Sequence, residues 1–453
     1  MAIHGYNRSQ FGEKLNSLVF PSQPIHSIEN LFGRTKELDR IEKALYAPGR
    51  HVFVYGDRGV GKSSLAATAA NQYQSSDSEY IDVSCSPDAT LKSVIANIAY
   101  QAIKISRINN VERQKKGSLN LRYLNLESIE IDSNKDLHNE IHTLTDAVEI
   151  LREVSEVHSE RPIVVVDEFD RMQSAEERSL FADLLKHLGD KRIPIKFIFT
   201  GIAKTLDELL GSHQSAIRQL ETIELPKLSW DARWAIVLHV AREFGVDVDR
   251  NIYVRIAAIS DGYPYYVHLI TEKLFWCVFE DDVLVSEITK EHYQAALRDA
   301  IDSISAELKR PYEIAVNQRS GDYEEVLWST VDSEFLHRYL KDMYSSYVYV
   351  MKQQSDKPAL DYEKYTSRIR NLKNRSNGEI LIAGNRPGLY SYREKMLRGF
   401  VRIQAEAHGI ELLGEEAKPT EKQYMHTPSR TSTGYHQSSI PEGVHFGRKR
   451  DGK

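Results

Sequence analysis

The chain has 453 residues, of which 41% are hydrophobic and 27% charged, and its formal net charge is −6. That is room for about two to four cored domains of ordinary soluble composition. It excludes a chain that is basic overall, a disulfide-stapled fold (only Cys85 and Cys277 occur) and a membrane-spanning helix, since no apolar run approaches about 18 residues. Met1–Arg8 lacks the charged-then-apolar layout of an export signal, so the expected location is cytoplasmic, with both thiols reduced.

Residues 1–25, with Pro21 and Pro24, read as an extended N-terminal extension. Leu31-Phe32-Gly33-Arg34 then precedes a helical pattern with apolar residues at Leu38, Ile41, Ala44 and Leu45, closed by Pro48-Gly49. The β-prone run His51–Tyr55 follows and leads into Gly56-Asp57-Arg58-Gly59-Val60-Gly61-Lys62-Ser63 and an alanine-rich helix former from Ser64. Strand, G-x-x-x-x-G-K-[ST] and helix in that order make a phosphate loop. Glycines let backbone N–H groups turn inward around an anion, and the helix N-terminus adds positive charge there. The candidate nucleotide-binding residues are Gly56, Arg58, Gly59, Val60, Gly61, Lys62, Ser63 and Ser64. Lys62 is suited to the β/γ-phosphates and the Ser63 hydroxyl to Mg²⁺.

Alternation predicts a second strand over Glu79–Ser84 and the 3.6 period a helix over Ala89–Ile103. Residues 106–139 are polar and aperiodic, an insertion whose Lys115-Lys116 pair is either solvated or a partner contact. A helix over Leu144–Val157 leads into Ile163-Val164-Val165-Val166-Asp167-Glu168, where four β-prone residues mark a strand buried on both faces. The two carboxylates at its C-terminal end sit where open α/β sheets bind ligands. Asp167 there would hold Mg²⁺ through water and Glu168 would orient or deprotonate the attacking water; the alternative is a helix-capping carboxylate followed by a solvent-facing one. A further strand, Ile193–Thr200, ends on a threonine that either bonds the γ-phosphate or lytic water or merely finishes the strand. A helix over Leu206–Ser212 and a strand over Thr222–Leu225 complete five strands alternating with helices. The implied core is a doubly wound α/β sheet over residues 26–227.

Residues 228–310 read as wholly helical (Ala232–Phe244, Asn251–Ser260, Pro264–Val278, Lys290–Ile304), a lid over the nucleotide. From 311 to 414 the predicted order is helices over Tyr323–Ser329 and Ser333–Tyr347, a basic helix over Tyr362–Lys373, then strand, tight loop and strand over Glu379–Ala383 and Leu389–Arg393. That is the layout of a winged helix-turn-helix, used elsewhere both for DNA and for protein contacts. Between Asp361 and Arg402 ten basic residues (Lys364, Arg368, Arg370, Lys373, Arg375, Arg386, Arg393, Lys395, Arg398, Arg402) face four acidic ones, a segment of +6 inside a negative chain. Such asymmetry points to double-stranded DNA as partner of residues 361–402. Residues 415–453 have the composition of a disordered tail.

Taken together, these residues resemble the AAA+ and STAND branch of phosphate-loop ATPases, and the winged helix after the lid brings the order close to that of origin-recognition initiator ATPases. The resemblance rests on Leu31-Phe32-Gly33-Arg34 as the motif beside the adenine, on 56–63 and 163–168 as Walker A and B, and on Gly262-Tyr263-Pro264 as the STAND Gly-x-Pro lid. It implies an Mg·ATP-hydrolysing switch, with Thr200 as the sensor-1 residue and Glu168 catalytic. Arg218 stands in the place of a finger supplied in trans, with a structural ion pair as its rival, so the resemblance also implies a homo-oligomer or a partner protein. Two departures, Thr at sensor 1 and Tyr265-Tyr266-Val267-His268 where motors carry a lid arginine, lean toward a slow switch. His268 either touches phosphate or packs internally. The second reading implied by the same resemblance is a STAND-type signalling or defence scaffold whose winged helix binds protein.

Overall fold

The computed structural model describes residues 3, 5–74, 78–109, 124, 138–212, 216–318, 321–354 and 357–412. The 415–453 tail and most of the 106–139 insertion therefore lie outside the described residues; residues 106–109, read from the sequence as irregular, continue the helix Leu91–Asn109.

The first element corrects the reading of residues 1–25 as extended. Helix α1 spans Arg8–Asn16, opened by an Asn7 capping box with Gln10. Phe11 and Leu15 are fully buried, and the Phe11 ring stacks 4.2 Å from Phe279 and lies 4.9 Å from Trp276. Burying one such ring contributes about 1.5–3 kcal/mol. Two apolar residues four apart in a polar stretch carry too little periodicity to announce this helix; their partners on the helix Pro264–Phe279 settle it.

The core then follows the expected alternation: α2 (Thr35–Tyr46), β1 (His51–Tyr55), α3 (Lys62–Tyr73), β2 (Ile81–Ser84), α4 (Leu91–Asn109), α5 (Leu144–Val157), β3 (Ile163–Asp167), α6 (Ala175–Asp190), β4 (Lys196–Gly201), α7 (Ala203–Ser212) and β5 (Leu220–Glu224). The five strands form one parallel sheet in the order β2-β3-β4-β1-β5. Strand alternation gives it two apolar faces. Phe53, Phe197 and Phe199 point toward α4–α6, while Val52, Val54 and Ile198 point toward α2, α3 and the rest of the chain.

Within residues 228–310 the structure has α8 (Trp230–Phe244), β6 (Asp247–Val248), α9 (Arg250–Ile259), α10 (Pro264–Phe279), β7 (Glu287–Ile288) and α11 (Lys290–Ser303). This stretch is not wholly helical: β6 and β7 pair in parallel, Asp247 with Glu287 and Val248 with Ile288. Two-residue strands leave no alternation to detect. Helix α12 (Ala306–Val316) carries Pro311 inside it, so the change of character at Arg310-Pro311 is not a break in the backbone.

Beyond it come α13 (Tyr323–Thr330), β8 (His337–Tyr339), α14 (Leu340–Lys352), α15 (Tyr362–Asn371), β9 (Leu381–Ala383), β10 (Leu389–Tyr392) and α16 (Leu397–Ala407). The expected helix over Ser333–Tyr347 divides: its first part is bent segment and strand β8, which pairs antiparallel with β10, and β10 pairs with β9. Strand β8 runs into α14 without a turn residue, so nothing in the local sequence marks the change. The buried tyrosines are satisfied here, Tyr365 by Ser329 (2.9 Å) and Tyr392 by Thr330 (2.6 Å). One hydrophobic core runs without interruption from α1 and the α2–α3 face of the sheet through helices α8–α11 to α16. Among the described residues no helix is long and apolar enough to cross a membrane.

Candidate active site at the C-terminal edge of the sheet

The Gly56–Gly61 turn leaves β1 beside β4 and β5 and delivers the N-terminus of α3 to the C-terminal edge of the sheet. Gly61, the N-cap of α3, has φ +95°, a left-handed conformation natural to glycine. Gly56 has no room for a side chain against the Leu225 carbonyl. The free N–H groups of the first helical turn thus open onto the space above the sheet.

Side chains from α3, β3 and β4 meet there. Ser63 Oγ donates to Asp167 Oδ1 at 3.0 Å across 104 residues of sequence. The Thr200 hydroxyl also donates to Asp167 Oδ1 and accepts from the Glu168 N–H at 3.1 Å. Thr200 is buried, and in this arrangement its hydroxyl orients the Asp167 carboxylate. Lys62 Nζ folds back on the Gly56 and Asp57 carbonyls at 3.2 and 3.0 Å. Burial lowers the Lys62 ammonium below the usual lysine range, opposed by Asp170, Asp167 and Asp57. Glu168 has φ +52°, a left-handed backbone that costs a non-glycine residue about 1–3 kcal/mol and gathers at functional sites. Its carboxylate is half exposed and pairs with Arg171 at 2.7 Å.

The other expected site residues are distributed less simply. Arg58 is exposed and Val60 buried. The Ser64 hydroxyl accepts from the Ile25 N–H at 3.1 Å, tying the N-terminal segment to α3. Arg218 is exposed immediately before β5. Because β5 runs parallel to β1 in register His51 with Leu220, Arg218 lies at the opposite edge of the sheet from its own phosphate loop, with the whole length of the strand, ~16 Å, between them. His268 is fully buried and burial lowers it to about 4, so it is a neutral packed imidazole.

Two residues acquire roles that sequence reasoning missed. Arg34, buried at 3% exposure, donates to the Val60 carbonyl at 3.0 Å and the Pro226 carbonyl at 2.8 Å, stapling the phosphate loop to the end of β5. Burial lowers its guanidinium to about 10, against the pull of Glu37. Asp170 turns back from the short helical turn after β3 to act on Lys62; its only signal was a third carboxylate in Asp167-Glu168-Phe169-Asp170.

The donor set fits an Mg·nucleotide. Mg²⁺ keeps waters and takes one or two protein oxygens plus phosphates, and Ser63 and Asp167 present such oxygens beside Lys62 and a free helix N-terminus.

Residues 30–198 match the family described as AAA ATPase domain. Among solved structures, the chain is similar to the Walker-type ATPase of Pyrococcus abyssi (16% identity, TM-score 0.48, covering 84% of this chain and 98% of that one). It is also similar to Cdc6p from Pyrobaculum aerophilum (16%, TM-score 0.43, 87% and 99%) and to the Orc1 protein of Aeropyrum pernix in complex with DNA (13%, TM-score 0.41, 83% and 93%). No curated protein matches the chain.

Proposed function

We propose that this chain, which carries an AAA ATPase domain over residues 30–198, binds Mg·ATP and hydrolyses it slowly to ADP and phosphate as a conformational switch. The observation that carries this reading is the 3.0 Å contact between Ser63 and Asp167 at the mouth of the phosphate loop. Bound Mg²⁺ would supply charge neutralisation at the phosphates, held by Ser63 and Asp167. Lys62 and the α3 N–H groups bind the phosphates, Thr200 orients Asp167, and Glu168, on leaving Arg171, accepts the proton of the attacking water. Arg218 acts on a neighbouring copy, since it lies at the far edge of the sheet from its own loop; this reading requires a homo-oligomer.

The order helix, strand, helix, helix, hairpin over residues 323–392, with sheet order β8-β10-β9, supports reading the C-terminal domain as a winged helix, and α15 with the hairpin as its double-stranded DNA face. The second reading, a signalling scaffold, is favoured by a specific observation: Arg398 and Arg402 are buried and spend their charge inside the chain.

Titration with ATP tests the first claim. Lys62→Ala removes charge-assisted bonds of about 1.5–3 kcal/mol each and should weaken ATP binding by about 100-fold or more. Glu168→Gln should bind ATP and fail to turn it over; full hydrolysis by that variant overturns the assignment. Duplex DNA binding at two salt concentrations separates the readings, because phosphate contacts give an affinity that falls steeply with salt.

A further inference from the structure

The segment joining β10 to α16 reaches back across the molecule to the phosphate loop. Lys395 Nζ lies 2.5 Å from Asp57 Oδ1, a contact across 338 residues of sequence. The next residue, Met396, packs its sulfur against Gly59, where any Cβ would collide with it. Tyr266 Oη donates to the Met396 carbonyl at 2.8 Å, and Arg398 Nε meets Asp261 Oδ2 at 2.9 Å in a buried pair. These neighbours hold the backbone of Lys395 at the loop, so its position does not depend on its own ion pair. The Lys395 side chain is 36% exposed and Asp57 32%, which leaves the ammonium free to swing.

The start of α10 offers no cation for that task. The helix begins with Pro264, 3.7 Å from where a Gly61 Cβ would stand, and continues Tyr265-Tyr266-Val267-His268, the last buried. Asp57 is the second residue of the phosphate loop itself, so its carboxylate parks the Lys395 ammonium at the rim of the loop.

We propose that Lys395, delivered by the C-terminal domain, is the cation that reads the terminal phosphate, resting on Asp57 without nucleotide and exchanging that carboxylate for the γ-phosphate when a triphosphate binds. The more highly charged phosphate is the stronger partner for the ammonium. A diphosphate leaves Lys395 on Asp57. Nucleotide state is thereby coupled directly to the C-terminal domain, because the same segment begins α16.

The inference rests on ATP binding, and the test separates the two. ATPγS and ADP, each with Mg²⁺, are titrated calorimetrically into the full chain and into Lys395→Ala and Lys395→Arg. Lys395→Ala should weaken ATPγS by about tenfold, the worth of one charge-assisted bond, and leave ADP within about twofold. Lys395→Arg should restore most of the lost preference. Equal weakening of both nucleotides marks a merely structural contact and overturns the inference, as does an unchanged ratio. Failure of the unsubstituted chain to bind either nucleotide overturns the ATP reading itself.

Discussion

At the C-terminal edge of the sheet, charges from distant parts of the chain converge and stay partly open; in residues 361–402, cations from one stretch disperse and close on partners. Lys62, Asp167 and Asp170 meet because β1, β3 and their loops belong to one parallel sheet. The +6 segment behaves otherwise. Lys364 pairs with Asp361, Arg393 with Glu379 and Arg368 with Asp322 in a two-bond clasp of 2.8 and 2.9 Å. Lys395 goes to Asp57, and Arg398 and Arg402 to Asp261. Arg370, Lys373, Arg375 and Arg386 are exposed and have no ion-pair partner among the described residues. A charge count therefore overstates the surface that a DNA duplex would meet, whereas motif spacing pointed to residues, Ser63 and Asp167, that lie 3.0 Å apart in the fold.

The closed charges are undone most severely at Asp261. Its buried carboxylate is the common partner of Arg398, Arg402 and Lys227. Burial alone would raise it, but Arg402, Arg398 and Lys227 outweigh that and hold it well below the usual carboxylate range. Asp261→Ala leaves two buried guanidinium groups uncompensated and should cost about 3–5 kcal/mol, read by thermal or denaturant unfolding. Lys227→Gln is the contrast. Burial already lowers that ammonium to about 8, so its removal should cost under about 1 kcal/mol; equal losses for the two variants would show that Asp261 is not the keystone.

Histidine tests the same distinction between closed and open charge. Burial holds His268 neutral down to about 4, against 6.5 when unfolded. Between those values the unfolded chain binds the proton and the folded chain does not, so its contribution is full above pH 6.5 and lost as pH falls toward 4, on the order of 3 kcal/mol. His51, lowered to about 3 by burial first and Lys196 second, adds to the same window and below it. Unfolding free energies at pH 7 and 4.5 should converge for His268→Leu relative to the unsubstituted chain; an unaltered pH slope would remove His268 from the account.

The smallest expected effect concerns the open cations. Replacing Arg370, Lys373 and Arg375 together by Gln should weaken duplex binding about tenfold and flatten its salt dependence by up to about 0.9 in slope per lost phosphate contact. Arg393→Gln, already paired, should change neither by much. If the paired arginine matters as much as the open three, the division between closed and open charge fails.

Much of this molecule was legible in its sequence because the information was local. The run Gly56–Ser63 needs only its own strand and helix to form, and the β-prone run Ile163–Val166 declares a strand buried on both faces. The direction of that strand then carries Asp167 to the edge where Ser63 waits. Other features depend on partners far along the chain: Phe11 on Phe279, Arg34 on Pro226, Lys395 on Asp57, Arg398 on Asp261. Backbone propensity and periodicity report the nearest few residues, whereas an ion pair or a ring contact depends on which surfaces the folded chain brings together. The phosphate loop and the carboxylates after β3 could thus be read from spacing, but that Lys395 turns inward to Asp57 of the loop, and Arg398 and Arg402 to Asp261, became visible only in the fold.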